Sequence, residues 1–316
     1  MDNKILNKSI TVREIIFFAF LLLCLLPFIS PPVALLMGIV VAQSIGHPFL
    51  HLNHKATHIL LQFSVVGLGF GMNVQSALQA GRSGLMFTVL SITTILVLGY
   101  LLGRFLKTER KLSFLITVGT AICGGSAIAA ISPVIKAEEK QISVALGTIF
   151  ILNAVALFIF PLIGQSFHLS QQQFGVWSAI AIQDTSSVVG AASKYGTEAL
   201  QIATMVKLTR ALWIIPIALL SSLLFRNKGT KIKIPYFIGL FVLAIVLNTY
   251  LPFAKVIGSQ LVQLSKIGLT LTLFLIGSGL SKEVFTSVGY KSLLQGLILW
   301  ILISVPTLLA VLYLLD

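Results

Sequence analysis

Residues 174–193, FGVWSAIAIQDTSSVVGAAS, form an apolar stretch broken by five consecutive polar residues, Gln183-Asp184-Thr185-Ser186-Ser187. A helix that crosses a bilayer takes about 20 predominantly apolar residues, and this stretch has that length without the uniformity. Polar groups at membrane depth persist only against protein or a water-filled cavity. Helix packing gives no reason for five such residues in a row. The stretch therefore reads as an interrupted helix in an all-α polytopic membrane protein, with Asp184 at its break.

The rest of the chain has the same character. Of 316 residues, 57% are hydrophobic and only 10% are charged, against about 25% charged in an ordinary soluble domain. Apolar runs predict about eleven spans, near 15–29, 32–46, 56–70, 84–103, 112–135, 141–164, 174–193, 199–224, 234–250, 256–280 and 290–315. No connector is long enough for a soluble domain, so residues 1–316 are expected to form a single integral membrane domain. Lys4, Lys8 and Arg13 ahead of Ile15–Ile29 imitate a secretion signal. A small-x-small cleavage site is missing, and the stretch reads as a retained first helix.

The net charge of +13 does not indicate nucleic acid, because the basic residues sit mostly in short connectors. With the N-terminus cytoplasmic, the inner segments hold Lys4, Lys8, Arg13, Lys55, Arg104, Lys107, Arg110, Lys111, Arg226, Lys228, Lys231, Lys233, Lys282 and Lys291. The outer connectors hold only Arg82, Lys136, Lys140, Lys194 and Lys255. The bias predicts an N-terminus inside and a C-terminus outside.

A short internal repeat appears at an offset of 208: Gly69-Phe70-Gly71-Met72 aligns with Gly277-Ser278-Gly279-Leu280, Gly81 with Gly289 and Leu85 with Leu293. Seven spans separate the copies, which places them in opposite orientations, as in inverted-repeat transporters. Glycines that merely recur at helix ends would give the same match.

A second interruption is expected at Gly119-Thr120-Ala121-Ile122-Cys123-Gly124-Gly125-Ser126-Ala127, in the span that Pro133 ends. Paired glycines cost a helix about 1 kcal/mol each. A break here would aim free N–H groups of a half-helix at an anion, whereas close packing through small residues would need no break.

Three cations lie deep in apolar spans: Lys207, Arg210 and Lys266. Lys207 and Arg210 are three apart and share a helix face. A lysine point charge beside an arginine fork suits the oxygens of sulfate, sulfonate or carboxylate. With Asp184 as the one intramembrane carboxylate, the balance of charge predicts that an anion is handled within the membrane. Cys123, Gly124, Gly125, Ser126, Thr185, Ser186 and Lys266 complete the expected substrate site. Asp184 is expected to exchange a proton or Na⁺, or to neutralise Lys207 or Arg210.

Other features carry less. Cys24 and Cys123 read as small buried hydrophobes. His47, His51, His54 and His58 surround Pro48 at i,i+4 spacings without a third or fourth ligand type nearby, so no metal site is expected. Asn73, Asn153 and Asn248 read as hydrogen-bonding glue between helices. No catalytic triad, nucleophile elbow, phosphate loop or dinucleotide fingerprint is present, so neither an enzyme nor a cofactor is expected and ATP drive would need another chain.

Four stretches together resemble the YeiH-type family of bacterial inner-membrane proteins, to which sulfate export is ascribed. They are residues 67–73 (GLGFGMN), 120–128 (TAICGGSAI), 181–191 (AIQDTSSVVGA) and 206–213 (VKLTRALW). The resemblance covers nearly the whole chain. It implies a small-anion carrier in the cytoplasmic membrane. It also implies kinship with inverted-repeat carriers that have crossed, broken helices, such as sodium–proton antiporters and bile-acid symporters. These move a core domain against a scaffold, often in a dimer. The reading from sequence is a secondary transporter of a small anion coupled to H⁺ or Na⁺, with a sodium–proton antiporter and an anion channel as alternatives.

Overall fold

The computed structural model describes residues 12–26, 29–225, 236–280, 284, 286 and 288–315, without the side chains of 50, 51, 54, 80–84 and 252–255. The basic residues Lys4, Lys8, Arg226, Lys228, Lys231, Lys233 and Lys282 of the topology count lie outside the described residues.

Every regular element among the described residues is helical. The order is α1 (Val12–Leu23), α2 (Pro31–Ser44), α3 (Leu50–Leu68), α4 (Val74–Phe105), α5 (Arg110–Ala121), α6 (Gly125–Ile131) and α7 (Glu139–Ser166). There follow α8 (Gln171–Ala181), α9 (Thr185–Tyr195), α10 (Thr197–Ala211), α11 (Ile214–Leu224), α12 (Tyr236–Tyr250), α13 (Pro252–Ser278) and α14 (Tyr290–Leu314). A 3-10 turn over Gly69–Gly71 joins α3 to α4.

Among the described residues, five segments are long and apolar enough to cross a membrane alone: Leu85–Phe105, Glu139–Ser166, Thr197–Leu224, Val256–Ser278 and Tyr290–Leu314. The expected spans at 112–135 and 174–193 are not continuous. The first is split into α5 and α6 and the second into α8 and α9. At about 1.5 Å per residue, the 12 residues of α5 and the 11 of α8 each fall well short of the roughly 30 Å hydrocarbon core.

Local chemistry sets the helix starts. Ser170 Oγ accepts from the Gln173 N–H at 3.1 Å while Gln173 Oε1 accepts from the Ser170 N–H at 2.9 Å, a capping box that opens α8. Asn73, expected as interhelical glue, is instead the N-cap of α4, with its Oδ1 accepting from the Ser76 N–H at 2.8 Å. Asn248 does act between elements, donating to the Met72 carbonyl at 3.0 Å. Both copies of the glycine repeat lie at helix ends, of α3 and of α13, as either reading of the repeat requires.

The interior holds α8, α9 and α10, walled by α4, α5, α7 and α14. On the other side α13 packs against α2 and α3. Gly38 on α2 and Gly277 on α13 bring these two backbones together, since a Cβ at either would collide with main-chain atoms of the other helix. Leu22, Phe63, Met86, Phe105, Leu223 and Tyr313 are among the many large apolar side chains left exposed, as a lipid-facing surface requires.

Candidate functional site at the meeting of two broken helices

The two interruptions face each other. In the first, Ile122 (φ −113°, ψ −87°) ends α5, and Gly124 turns the chain at φ +64° into α6. In the second, Ile182 and Asp184 are extended, with ψ of 124° and 145°. A Cβ on Gly124 would stand 3.2 Å from Asp184 Cα and 3.3 Å from the Gln183 carbonyl oxygen. The positive φ and the close approach together account for glycine at 124.

Breaking a buried helix strands its last carbonyl groups. Here α10 supplies the donors. Lys207 Nζ donates to the Ile182 carbonyl at 2.7 Å and to the Ala179 carbonyl at 3.3 Å, closing the C-terminal end of α8. The Arg210 guanidinium donates to the Ala121 carbonyl and, at 3.4 Å, to the Ile122 carbonyl, closing the end of α5. Its remaining arm donates to Ser91 Oγ at 2.7 Å. Each cation thus sits at the negative end of a helix dipole. Both are 0% exposed, so these carbonyls and the hydroxyl are what offset the cost of burying them.

The opposite half of the second break is closed by its own acid. Asp184 Oδ2 accepts from the N–H groups of Ser186 at 3.0 Å and Ser187 at 3.2 Å, and from the Ser186 hydroxyl, capping α9. Asn153 on α7 holds the extended link, its Oδ1 accepting from the N–H groups of Gln183 at 3.0 Å and Asp184 at 3.2 Å. Gln183 Nε2 donates to Thr120 Oγ1 at 3.1 Å, tying the second break back to α5. Asn153 Nδ2 and Gln183 Oε1 are buried without a partner.

Beside the break lies a cavity of about 210 Å³. Its polar lining comes from Asp184 and Ser186 on one broken helix, Ser126 on the other, and Asn53, Thr57 and His58 on α3; Gly125 and Gly279 add backbone and Leu61, Leu146, Phe150 and Ile276 close its sides. Asp184 is only 6% exposed, so its carboxylate meets this small space rather than bulk water. Among the described residues, no three His, Cys, Asp or Glu side chains gather as metal ligands do.

Of the residues expected from sequence, Asp184, Gly125, Ser126 and Ser186 meet at the cavity. Lys207 and Arg210 reach the same crossing but stand behind it on backbone carbonyls, outside the lining. Cys123 and Gly124 form the break itself, and Thr185 opens α9 as its first residue; none of the three lines the cavity. Lys266 is exposed on the outer side of α13 and takes no part.

Asn53 and Thr57 were not singled out from sequence. Their i,i+4 spacing on α3, with Thr57 Oγ1 donating to Asn53 Oδ1 at 3.3 Å, is the signal that marks them. Asn53 Nδ2 in turn donates to the Leu275 carbonyl near the end of α13 at 2.9 Å, fixing α3 against α13 at the cavity.

The family described as "Conserved hypothetical protein 698" matches residues 10–296. A UPF0324 membrane protein of Porphyromonas gingivalis is 56% identical, the alignment spanning 89% of this chain and 86% of that protein. One from Bacteroides thetaiotaomicron is 54% identical, with 89% and 86% covered. One from Bdellovibrio bacteriovorus is 49% identical, with 98% and 97% covered. No solved structure matches the chain significantly. The YeiH-like resemblance of the four sequence stretches and these full-length relatives agree, and the chain belongs to the UPF0324 family of membrane proteins.

Proposed function

We propose that this protein is a secondary transporter that moves a small anion through the cavity beside the two breaks, coupled to a proton or Na⁺ taken up at Asp184. The observation that carries the reading is the position of Asp184: a nearly buried carboxylate at the junction of two broken helices, lining a cavity of about 210 Å³ with Ser126, Ser186, Asn53 and Thr57. Interrupted helices meeting at a polar cavity are the form that solute sites take in many carriers. The volume suits a small solute and excludes a peptide or a lipid tail.

Lys207 and Arg210 have a different part from the one read from sequence. They hold the two helix ends and do not line the cavity, so in this reading neither contacts the solute directly. A unit anion about 4 Å from an ionised Asp184 would be opposed by about 4 kcal/mol at an effective dielectric of 20. Protonating Asp184, or placing Na⁺ on it, removes that opposition. Coupling follows from this electrostatic conflict: the anion is opposed until a proton or Na⁺ has neutralised Asp184, so anion entry requires the cation.

A sodium–proton antiporter is the second reading. It is favoured by the lining itself, in which the oxygens of Asp184, Ser126, Ser186, Thr57 and Asn53 can serve a hard cation and no Lys or Arg takes part. Solid-supported-membrane electrophysiology on proteoliposomes separates the two. Sulfate or sulfonate jumps that give transient current only with H⁺ or Na⁺ present support the carrier. Na⁺ jumps that move protons with no anion present favour the antiporter, and a sustained anion conductance would replace both with a channel.

A further inference from the structure

A second and larger cavity, of about 770 Å³, opens between the end of α4, the start of α5 and α11. It is separate from the Asp184 cavity and shares no lining residue with it. Its two ends differ in chemistry. Arg104 and Arg110 stand at one end, with Thr108 between them in the connector that joins α4 to α5. The remainder is a mainly apolar trough, lined also by Ser113 and Thr117, that includes Val97, Leu101, Leu220 and Leu224, all four of them exposed on the lipid-facing side.

Neither guanidinium is neutralised by a carboxylate among the described residues. Arg104 donates to Tyr100 Oη at 3.1 Å and lies 5.7 Å from the Tyr100 ring centroid; Arg110 stacks 5.0 Å over Phe225. Glu109, the adjacent acid, accepts instead from Gln141 Nε2. Thr108 Oγ1 is buried without a hydrogen-bond partner in the wall between the arginines. Two uncompensated arginines and an orphan hydroxyl make a site for an anionic oxygen-rich group at the level where a helix pair turns.

We infer that this cavity binds one anionic phospholipid, with the phosphodiester held by Arg104 and Arg110 and an acyl chain laid along the α4–α11 trough. A free inorganic anion would satisfy the arginines and leave most of the 770 Å³ facing hydrocarbon. A neutral lipid would fill the trough and leave the arginines without a counter-charge. Only a molecule with one anionic end and one hydrocarbon end suits both halves. Basic pockets at the ends of transmembrane helices bind anionic headgroups by the same logic.

The test is native mass spectrometry of the delipidated full-length protein in neutral detergent, given equal amounts of phosphatidylglycerol and phosphatidylcholine with the same acyl chains. The wild type is expected to retain one phosphatidylglycerol in clear preference to phosphatidylcholine. Each of Arg104→Gln and Arg110→Gln should weaken that retention about fivefold, since one basic residue near a membrane surface contributes on that scale. Both arginines contact only exposed or half-buried aromatic rings, and the preference of the wild type stands as a measurement even if a variant is poorly behaved. Equal retention of the two lipids, or a preference that survives both substitutions, overturns the inference. So does displacement of the lipid by millimolar inorganic phosphate, which would mark a small-anion site, or a second copy of the chain found covering the trough.

Discussion

Gly124 and Asp184 pack against each other, one from each broken helix, so closely that a Cβ on Gly124 would stand 3.2 Å from Asp184 Cα. The contact fixes how the two breaks meet, and therefore where the Asp184 carboxylate points. Gly124 also has φ +64°, ψ −124°, a conformation that L side chains rarely adopt.

Gly124→Ala is accordingly expected to lower stability by about 1–3 kcal/mol from backbone strain alone. It should also impair transport by displacing Asp184. Thermal unfolding in detergent, together with transport in proteoliposomes, checks both effects. A variant with unchanged stability would mean that the crossing can relax.

Lys207→Met should leave the buried carbonyls of Ile182 and Ala179 without a donor, at a cost of about 1–3 kcal/mol. Because Lys207 does not line the cavity, whatever protein folds should bind the anion with near-normal affinity. Ligand-dependent thermal shifts on the folded fraction measure this. Lost anion binding at full stability would return Lys207 to the substrate site.

Asp184→Asn keeps an N-cap acceptor on α9, and Asn ranks with Asp at that position. Stability should therefore change by less than about 1 kcal/mol, while the charge is gone. The expected result in electrophysiology is loss of the H⁺ or Na⁺ requirement for anion binding. Retention of cation-dependent currents in this variant would place the coupling site elsewhere.

His47 lies in the connector between α2 and α3, with its Nδ1 accepting from the Phe49 N–H at 3.0 Å and its Nε2 buried without a partner. Burial pushes its pKa below the usual 6.5. The folded state then holds fewer protons than the unfolded state as pH falls through that value, so stability declines toward acid and is recovered above about pH 6.5. Melting curves across that window should show a slope that His47→Gln reduces.

Much of the site could be read along the chain because its signals are local. Glycine pairs and polar runs inside apolar stretches are expensive in a membrane wherever the helix goes, so the breaks at Cys123-Gly124 and at Gln183-Asp184 announce themselves. The i,i+3 spacing of Lys207 and Arg210 likewise places both on one face of α10 before any fold is known.

What that face meets was not legible. The partners of Lys207 and Arg210 are backbone carbonyl groups on α5 and α8, and every residue type carries the same carbonyl, so no side-chain pattern marks the pairing. Asn53 and Thr57 on α3 become part of the cavity only because α3, packed on α13, lies across it from α6 and α9, the second halves of the two breaks. Lys266 illustrates the converse: depth in an apolar stretch is set by sequence, but the direction of a side chain is set by neighbours. The sequence by itself determined a polytopic helical membrane protein with two interrupted helices and one acidic residue at a break. The tertiary structure decided that the buried cations serve helix ends and that the acid faces the cavity, because long-range packing assigns partners to groups whose local sequence fixes only their cost of burial.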